Sequence, residues 1–119
     1  MKEKTVQIVA DLSNCSRSLR LRDVKKTTKD LRRFVREVGM RIIKSQSHKF
    51  GMGGFSWVVI VAESHVAIHT WRAEKIVNVD IFFCSYTKNN QAKARKLLEI
   101  LTSYFGAKRV ETKVVARQP

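Results

Sequence analysis

The segment Ala62-Glu63-Ser64-His65-Val66-Ala67-Ile68-His69-Thr70-Trp71 sets a carboxylate, a hydroxyl and two imidazoles into a sequence otherwise suited to a strand, and a thiol, Cys84, closes the next apolar run. In an extended chain, residues an even number apart share a face. His65, Ala67, His69 and Trp71 therefore lie on one side, and Ser64, Val66, Ile68 and Thr70 on the other. Three chemistries compete for these residues. The plainest is hydrogen bonding by polar groups on a half-exposed face. A zinc site could recruit His48, His65, His69 and Cys84, which carry the right atom types. The chain lacks any C-x-x-C or H-E-x-x-H spacing, so no metal is expected. The third begins at the peptide bond between Glu63 and Ser64, which falls at a tight turn between two strong strands.

Those residues need a scaffold, and the hydrophobic pattern supplies one. Residues 5–12 alternate as a strand, and Leu31, Phe34, Val35 and Val38 recur at helical spacing between Thr28 and Val38, with Gly39 as a stop. Met40 to Ser47 reads as a second strand, and a glycine cluster at 51–54 then turns the chain into FSWVVIVA, a central strand. Lys75 to Cys84 alternates again, Asn89 to Phe105 carries an apolar helical stripe, and Lys108 to Val115 is a last strand. The predicted fold is α+β: two helices packed on one face of a mainly antiparallel sheet, in a two-layer sandwich. The other sheet face needs a cover, which a second copy stacked as an αββα dimer provides.

At 119 residues with 44% hydrophobic content, the chain is expected to form a single domain, 1–119. No window has the roughly 18 consecutive apolar residues of a membrane span, and charges at the N-terminus argue against a secretory leader. Two cysteines without close pairing read as free thiols in a reducing, cytoplasmic setting. The formal net charge of +14 is the outlying property. It attracts polyanions, so a non-enzymatic nucleic-acid-binding module using Lys25, Lys26, Lys29, Arg32, Arg33 and Arg36 is a competing expectation, although no nucleic-acid motif accompanies the charge.

Five short stretches resolve the Glu63-Ser64 question by resemblance: His48-Lys49-Phe50, Gly54-Phe55-Ser56, Glu63-Ser64-His65, Ile68-His69-Thr70-Trp71 and Asp80-Ile81-Phe82-Phe83-Cys84. In this order, and without gaps, they resemble the prokaryotic, small-subunit type of S-adenosylmethionine decarboxylase, a self-processing pyruvoyl enzyme of polyamine and spermidine synthesis. The similarity runs from Val6 to the last helix. It implies that Ser64 attacks the carbonyl of Glu63 and becomes a pyruvoyl group, dividing the proenzyme into a β chain of 1–63 and an α chain of 64–119. It implies that His69 and Ser56 assist this processing. The pyruvoyl carbonyl would then form a Schiff base with a cationic substrate and accept electrons as carbon dioxide leaves, with Cys84 as proton donor. Asp11, Phe50 and Glu74 are the implied substrate contacts, and the sites of a homodimer are expected to use residues from both subunits.

The chain departs from the family pattern just after Trp71. Where the family has proline-glutamate-tyrosine-glycine-tyrosine, this sequence reads Arg72-Ala73-Glu74-Lys75-Ile76, so Ala73 replaces the glutamate that binds the ribose hydroxyls. Asp11 stands for a glutamate, and Phe83 and Ser85 replace a threonine and a glycine beside Cys84. Pyruvoyl-dependent decarboxylation of arginine or another basic amino acid is therefore the alternative to S-adenosylmethionine.

Overall fold

The computed structural model describes residues 5–85 and 88–118. The elements in chain order are β1 (Thr5–Ser13), a 3-10 turn (Ser18–Leu21), α1 (Val24–Glu37), β2 (Ile42–Lys49), β3 (Phe55–Val61), β4 (Ser64–Trp71), β5 (Ile76–Phe83), α2 (Gln91–Phe105) and β6 (Arg109–Arg117). Every pairing in the six-stranded sheet, ordered β2-β3-β4-β5-β1-β6, is antiparallel. The expected α+β layering is present.

Helix α1 begins a turn before the expected Thr28, because the Asp23 side chain accepts the Lys26 amide at 3.1 Å and satisfies a free N–H of the first turn. It ends where Gly39 takes a φ of 93°, a conformation that disfavours residues with a Cβ. β2 starts later than expected, since Met40 is drawn into the core instead of the strand. Leu31, Phe34 and Val35 of α1 and Leu97, Leu101 and Phe105 of α2 pack on the alternate residues Ile8, Val59, Val66, Ile68, Val79 and Ile81 of the sheet. Burying side chains of this size stabilises the fold by about 1.5–3 kcal/mol each before entropy is charged against it.

Alternation leaves the opposite sheet face open. It presents Gln7, Val9 and Asp11 from β1, Ser56, Val58 and Ile60 from β3, His65, Ala67, His69 and Trp71 from β4, and Asn78, Asp80 and Phe82 from β5. Val58, Ile60, Trp71 and Val115 are exposed there. His65 and His69 therefore interrupt the open face, while Thr70 is buried on the core side, where its hydroxyl donates to the Leu21 carbonyl at 2.7 Å.

Candidate active site

Ser64 opens β4 directly after a two-residue turn, Ala62-Glu63, that joins it to β3 through the pair Val61 and Ser64. Its φ is 125°, a region that L side chains avoid at a cost of about 1–3 kcal/mol. The carbonyl oxygen of Glu63 accepts the Cys84 amide at 2.8 Å, so the end of β5 is fastened to the peptide unit that precedes Ser64. The Cys84 thiol is half-buried and lies 3.9 Å from the Thr5 hydroxyl, which also accepts the Ser85 amide at 3.0 Å. His65 sits 3.8 Å from Asp80 and edge-on to Phe82.

The other end of β4 carries a second group. Ser56 and His69 are direct cross-strand partners, and Ser56 Oγ lies 2.7 Å from His69 Nδ1, a hydrogen bond that fixes the imidazole ring. Phe50 stacks on Trp71 with ring centres 5.3 Å apart. Trp71 Nε1 donates to Asn78 Oδ1 at 2.5 Å, and Asn78 Nδ2 donates to Asp11 at 2.8 Å. Asp11, His69, Asn78, Asp80 and Glu111 border a hollow of about 580 Å³ on the open sheet face. Glu74 stands in the turn between β4 and β5, exposed, with no hydrogen bond or ion pair among the described residues.

The expected site residues thus fall into two groups within one chain. Ser64 and Cys84 mark one end of the sheet, while Ser56, His69, Phe50 and Asp11 mark the other. Five residues of strand separate Ser64 from His69, about 17 Å at 3.3 Å per residue. The zinc set is divided likewise: His65 and Cys84 lie toward one end, His48 and His69 toward the other, and no metal-binding group of three ligands occurs among the described residues.

Part of the charge excess stands on α1, away from both groups. Lys25, Lys29 and Arg36 project from the exposed side of α1, on the helix layer, and Lys26 and Arg33 pair with Asp30. Around the hollow the open face gathers Asp11, Asp80 and Glu111, with Lys113 beside them. The three acids outnumber the one lysine there, a balance that favours a cationic molecule. Of the two thiols, Cys15 is fully buried, and that burial pushes it up to about 11 against a backbone hydrogen bond, as suits a packing residue.

Sequence reasoning passed over Asn90. It is fully buried, and its side-chain amide donates to Glu63 Oε2 at 2.6 Å and to the Cys84 carbonyl at 2.8 Å. Asn before a helix reads as a cap, and nothing in its neighbours pointed to a partner 27 residues away.

Comparison with known proteins identifies the family and the fold. The family model described as S-adenosylmethionine decarboxylase matches residues 6–118. A protein of Clostridium botulinum (strain Langeland) named S-adenosylmethionine decarboxylase proenzyme is 32% identical over 117 residues, covering 98% of this chain and 97% of that protein. One of the same name from Carboxydothermus hydrogenoformans is 34% identical over 110 residues, covering 92% and 83%. The crystal structure of the adenosylmethionine decarboxylase from Aquifex aeolicus superposes with a TM-score of 0.85 at 25% identity, covering 100% of this chain and 94% of that one. With the strained serine, the half-buried thiol and the Ser56-His69 pair all on one such fold, the chain belongs to the prokaryotic-type, pyruvoyl-dependent S-adenosylmethionine decarboxylase proenzyme family.

Proposed function

We propose that this chain cuts itself between Glu63 and Ser64 and then decarboxylates S-adenosylmethionine in polyamine synthesis. The observation that carries the reading is the peptide unit itself: Ser64 at a φ of 125°, with the Glu63 carbonyl held on the Cys84 amide at 2.8 Å. Attack of Ser64 Oγ on that carbonyl carbon places negative charge on the oxygen that the amide already contacts, which is how a preorganised donor lowers such a barrier. The C–N bond then breaks, the nitrogen takes the hydroxyl proton, and an ester joins Glu63 to Ser64 Oγ. Removal of the Ser64 α-proton expels the Glu63 carboxylate, and hydrolysis of the resulting enamine releases ammonia and leaves a pyruvoyl group at position 64.

Within one chain, His69 and Ser56 stand too far from Ser64 to move these protons. Stacking two open sheet faces about a two-fold axis that crosses β4 near Ala67 sets the Ser64 end of one protomer over the His69 end of its partner. Such a dimer also buries Val58, Ile60 and Trp71, which are exposed in the single chain. Each site then draws Ser64 and Cys84 from one copy and Ser56, His69, Phe50 and Asp11 from the other.

The residues around position 64 fit the group it would generate: Ser64 pairs with Phe83 at the end of β5, and the half-buried Cys84 follows directly. The pyruvoyl group supplies an electron-withdrawing carbonyl for loss of carbon dioxide. Cys84 delivers the proton that replaces the carboxylate. Asp11, fixed by Asn78, offers a negative charge to a sulfonium or ammonium group. Phe50, already stacked on Trp71, offers a flat face to an adenine. Ala73 presents no acceptor to a ribose diol, and Glu74, the next residue, offers a carboxylate in its place.

Mass spectrometry of the purified protein tests the first step, with Ser64→Ala as control: two fragments divided before residue 64 are expected, and one intact chain after long incubation refutes the reading. Release of carbon dioxide from S-adenosylmethionine but not from arginine or ornithine is expected from the cut protein. Release from arginine alone would instead assign the chain to basic amino acid decarboxylation.

A further inference from the structure

Asn90 occupies the N-cap position of α2 yet makes no side-chain bond to that helix. The first-turn amide of Gln91 is met by Asn89 instead, at 2.9 Å. The Asn90 side chain has turned toward the cleavage site. One Nδ2 hydrogen goes to Glu63 Oε2 and the other to the Cys84 carbonyl, while its own amide donates to Ser85 Oγ at 3.1 Å. Its Oδ1 is buried with no partner among the described residues, an arrangement that opposes folding. A side chain that leaves the cap unmade and holds two specific groups at the cleavage site is better explained by those groups than by the helix.

The two groups flank one hydrogen bond. Glu63 supplies the scissile carbonyl and Cys84 supplies the amide that contacts it, and the Asn90 carboxamide ties the side chain of the first to the backbone of the second. We infer that Asn90 is a positioning residue for self-cleavage, holding the Glu63 carbonyl on the Cys84 amide while Ser64 attacks. This rests on the self-cleavage reading above. Asn90 does not touch the reacting atoms; it acts through Glu63 and Cys84. The same grip serves the product, because Glu63 ends the β chain after the cut and Asn90, with Lys88 Nζ 3.8 Å from the Glu63 carboxylate, retains that end in the α chain.

The test follows cleavage of freshly purified proenzyme by mass spectrometry for Asn90→Ala, Glu63→Ala and the double variant, with thermal melting in parallel. Loss of positioning is expected to slow cleavage by Asn90→Ala on the order of 10- to 100-fold, below the 10²–10³ typical of removing an oxyanion donor outright. Glu63→Ala should slow it by less, and the double variant should be no slower than Asn90→Ala, because both act through one contact. Hydroxylamine, which cleaves an ester before Ser64, separates a slowed attack from a slowed elimination, and slowed cleavage at an unchanged melting temperature excludes a merely structural role. Asn90→Ala should accumulate no hydroxylamine-sensitive ester, since the attack itself is impaired. Cleavage of Asn90→Ala at the parent rate, or accumulation of ester in it, overturns the inference. If Asn90→Ala does not fold, parent-rate cleavage by Glu63→Ala overturns it equally. An uncut parent protein would instead overturn the self-cleavage reading.

Discussion

The amide of Cys84 donates to the carbonyl oxygen of Glu63 at 2.8 Å, so the backbone of one expected functional residue holds the peptide unit that another is placed to break. The thiol and the amide of residue 84 then have separable duties. Cys84→Ala keeps the amide and should cleave itself near the parent rate, while turnover falls by at least about 100-fold through loss of the proton donor. Fragment masses and carbon dioxide release, measured on the same sample, check both halves.

Ser64 holds a φ of 125°, which glycine adopts freely. Ser64→Gly and Ser64→Ala should both remain uncut, and the glycine variant should be the more stable by about 1 kcal/mol because it relieves the strain that alanine retains. Urea unfolding of the two uncut proteins gives the difference. Equal stability would mean that the turn stores nothing.

The separation of Ser64 from His69 along β4 predicts complementation between subunits. Ser64→Ala and His69→Ala should each stay uncut as homodimers. Co-expressed, they form a mixed dimer with one complete site, built from Ser64 of the His69→Ala chain and His69 of the Ser64→Ala chain. Only the His69→Ala chain should be cut, which mass labelling of one chain reveals.

Ala73→Glu restores a carboxylate where the family places one. A diol acceptor regained in a closed site is worth about 1–3 kcal/mol, so KM for S-adenosylmethionine should fall by roughly 5- to 100-fold with kcat little changed. A fall in KM for arginine instead would point to the alternative substrate.

The two helices are joined by Tyr104, whose hydroxyl donates to Asp30 at 2.7 Å. Burial alone would push the Asp30 carboxyl up, but hydrogen bonds from Tyr104, Lys26 and Arg33 hold it below its ordinary value. Burial, then the bond to Asp30, pushes Tyr104 up to about 12 from 10.0. The raised tyrosine contributes stability that is complete below about pH 10 and lost as pH rises toward 12; the lowered aspartate contributes stability present above about pH 4 and lost as pH falls. Tyr104→Phe should therefore flatten the alkaline limb of a urea-unfolding profile. Asp30→Ala should cost about 1–3 kcal/mol at neutral pH by leaving the tyrosine hydroxyl unpaired.

The sheet and its helices were legible because alternation and helical spacing are local signals: His65, Ala67, His69 and Trp71 declared their common face from parity alone. The Glu63-Ser64 turn was visible between two apolar strands, and the motif around it named its chemistry. Asn90 was hidden because a cap and a clamp use the same residue type, and the partner that distinguishes them is brought close only when α2 packs beside the β3-β4 turn. The Tyr104-Asp30 bond was hidden likewise, since Asp30 lies among basic residues on a helix and reads there as a surface ion pair. The +14 charge named no partner by itself because composition carries no position; the fold shows that Lys25, Lys29 and Arg36 of α1 stand exposed on the layer away from the open sheet face.

The tight Ala62-Glu63 turn also gives the molecule a one-way history. Before the cut, β3 and β4 are tethered at the closest spacing a hairpin allows, so finding each other is a local event within one chain. After a cut between Glu63 and Ser64, the two strands would belong to separate polypeptides, held by their ladder, the core and the contacts of Asn90 and Lys88 to Glu63. Denatured mature protein must then reassemble by collision, at a rate that falls on dilution. On the self-cleavage reading, the proenzyme folds as one chain and the mature form has to bring two together.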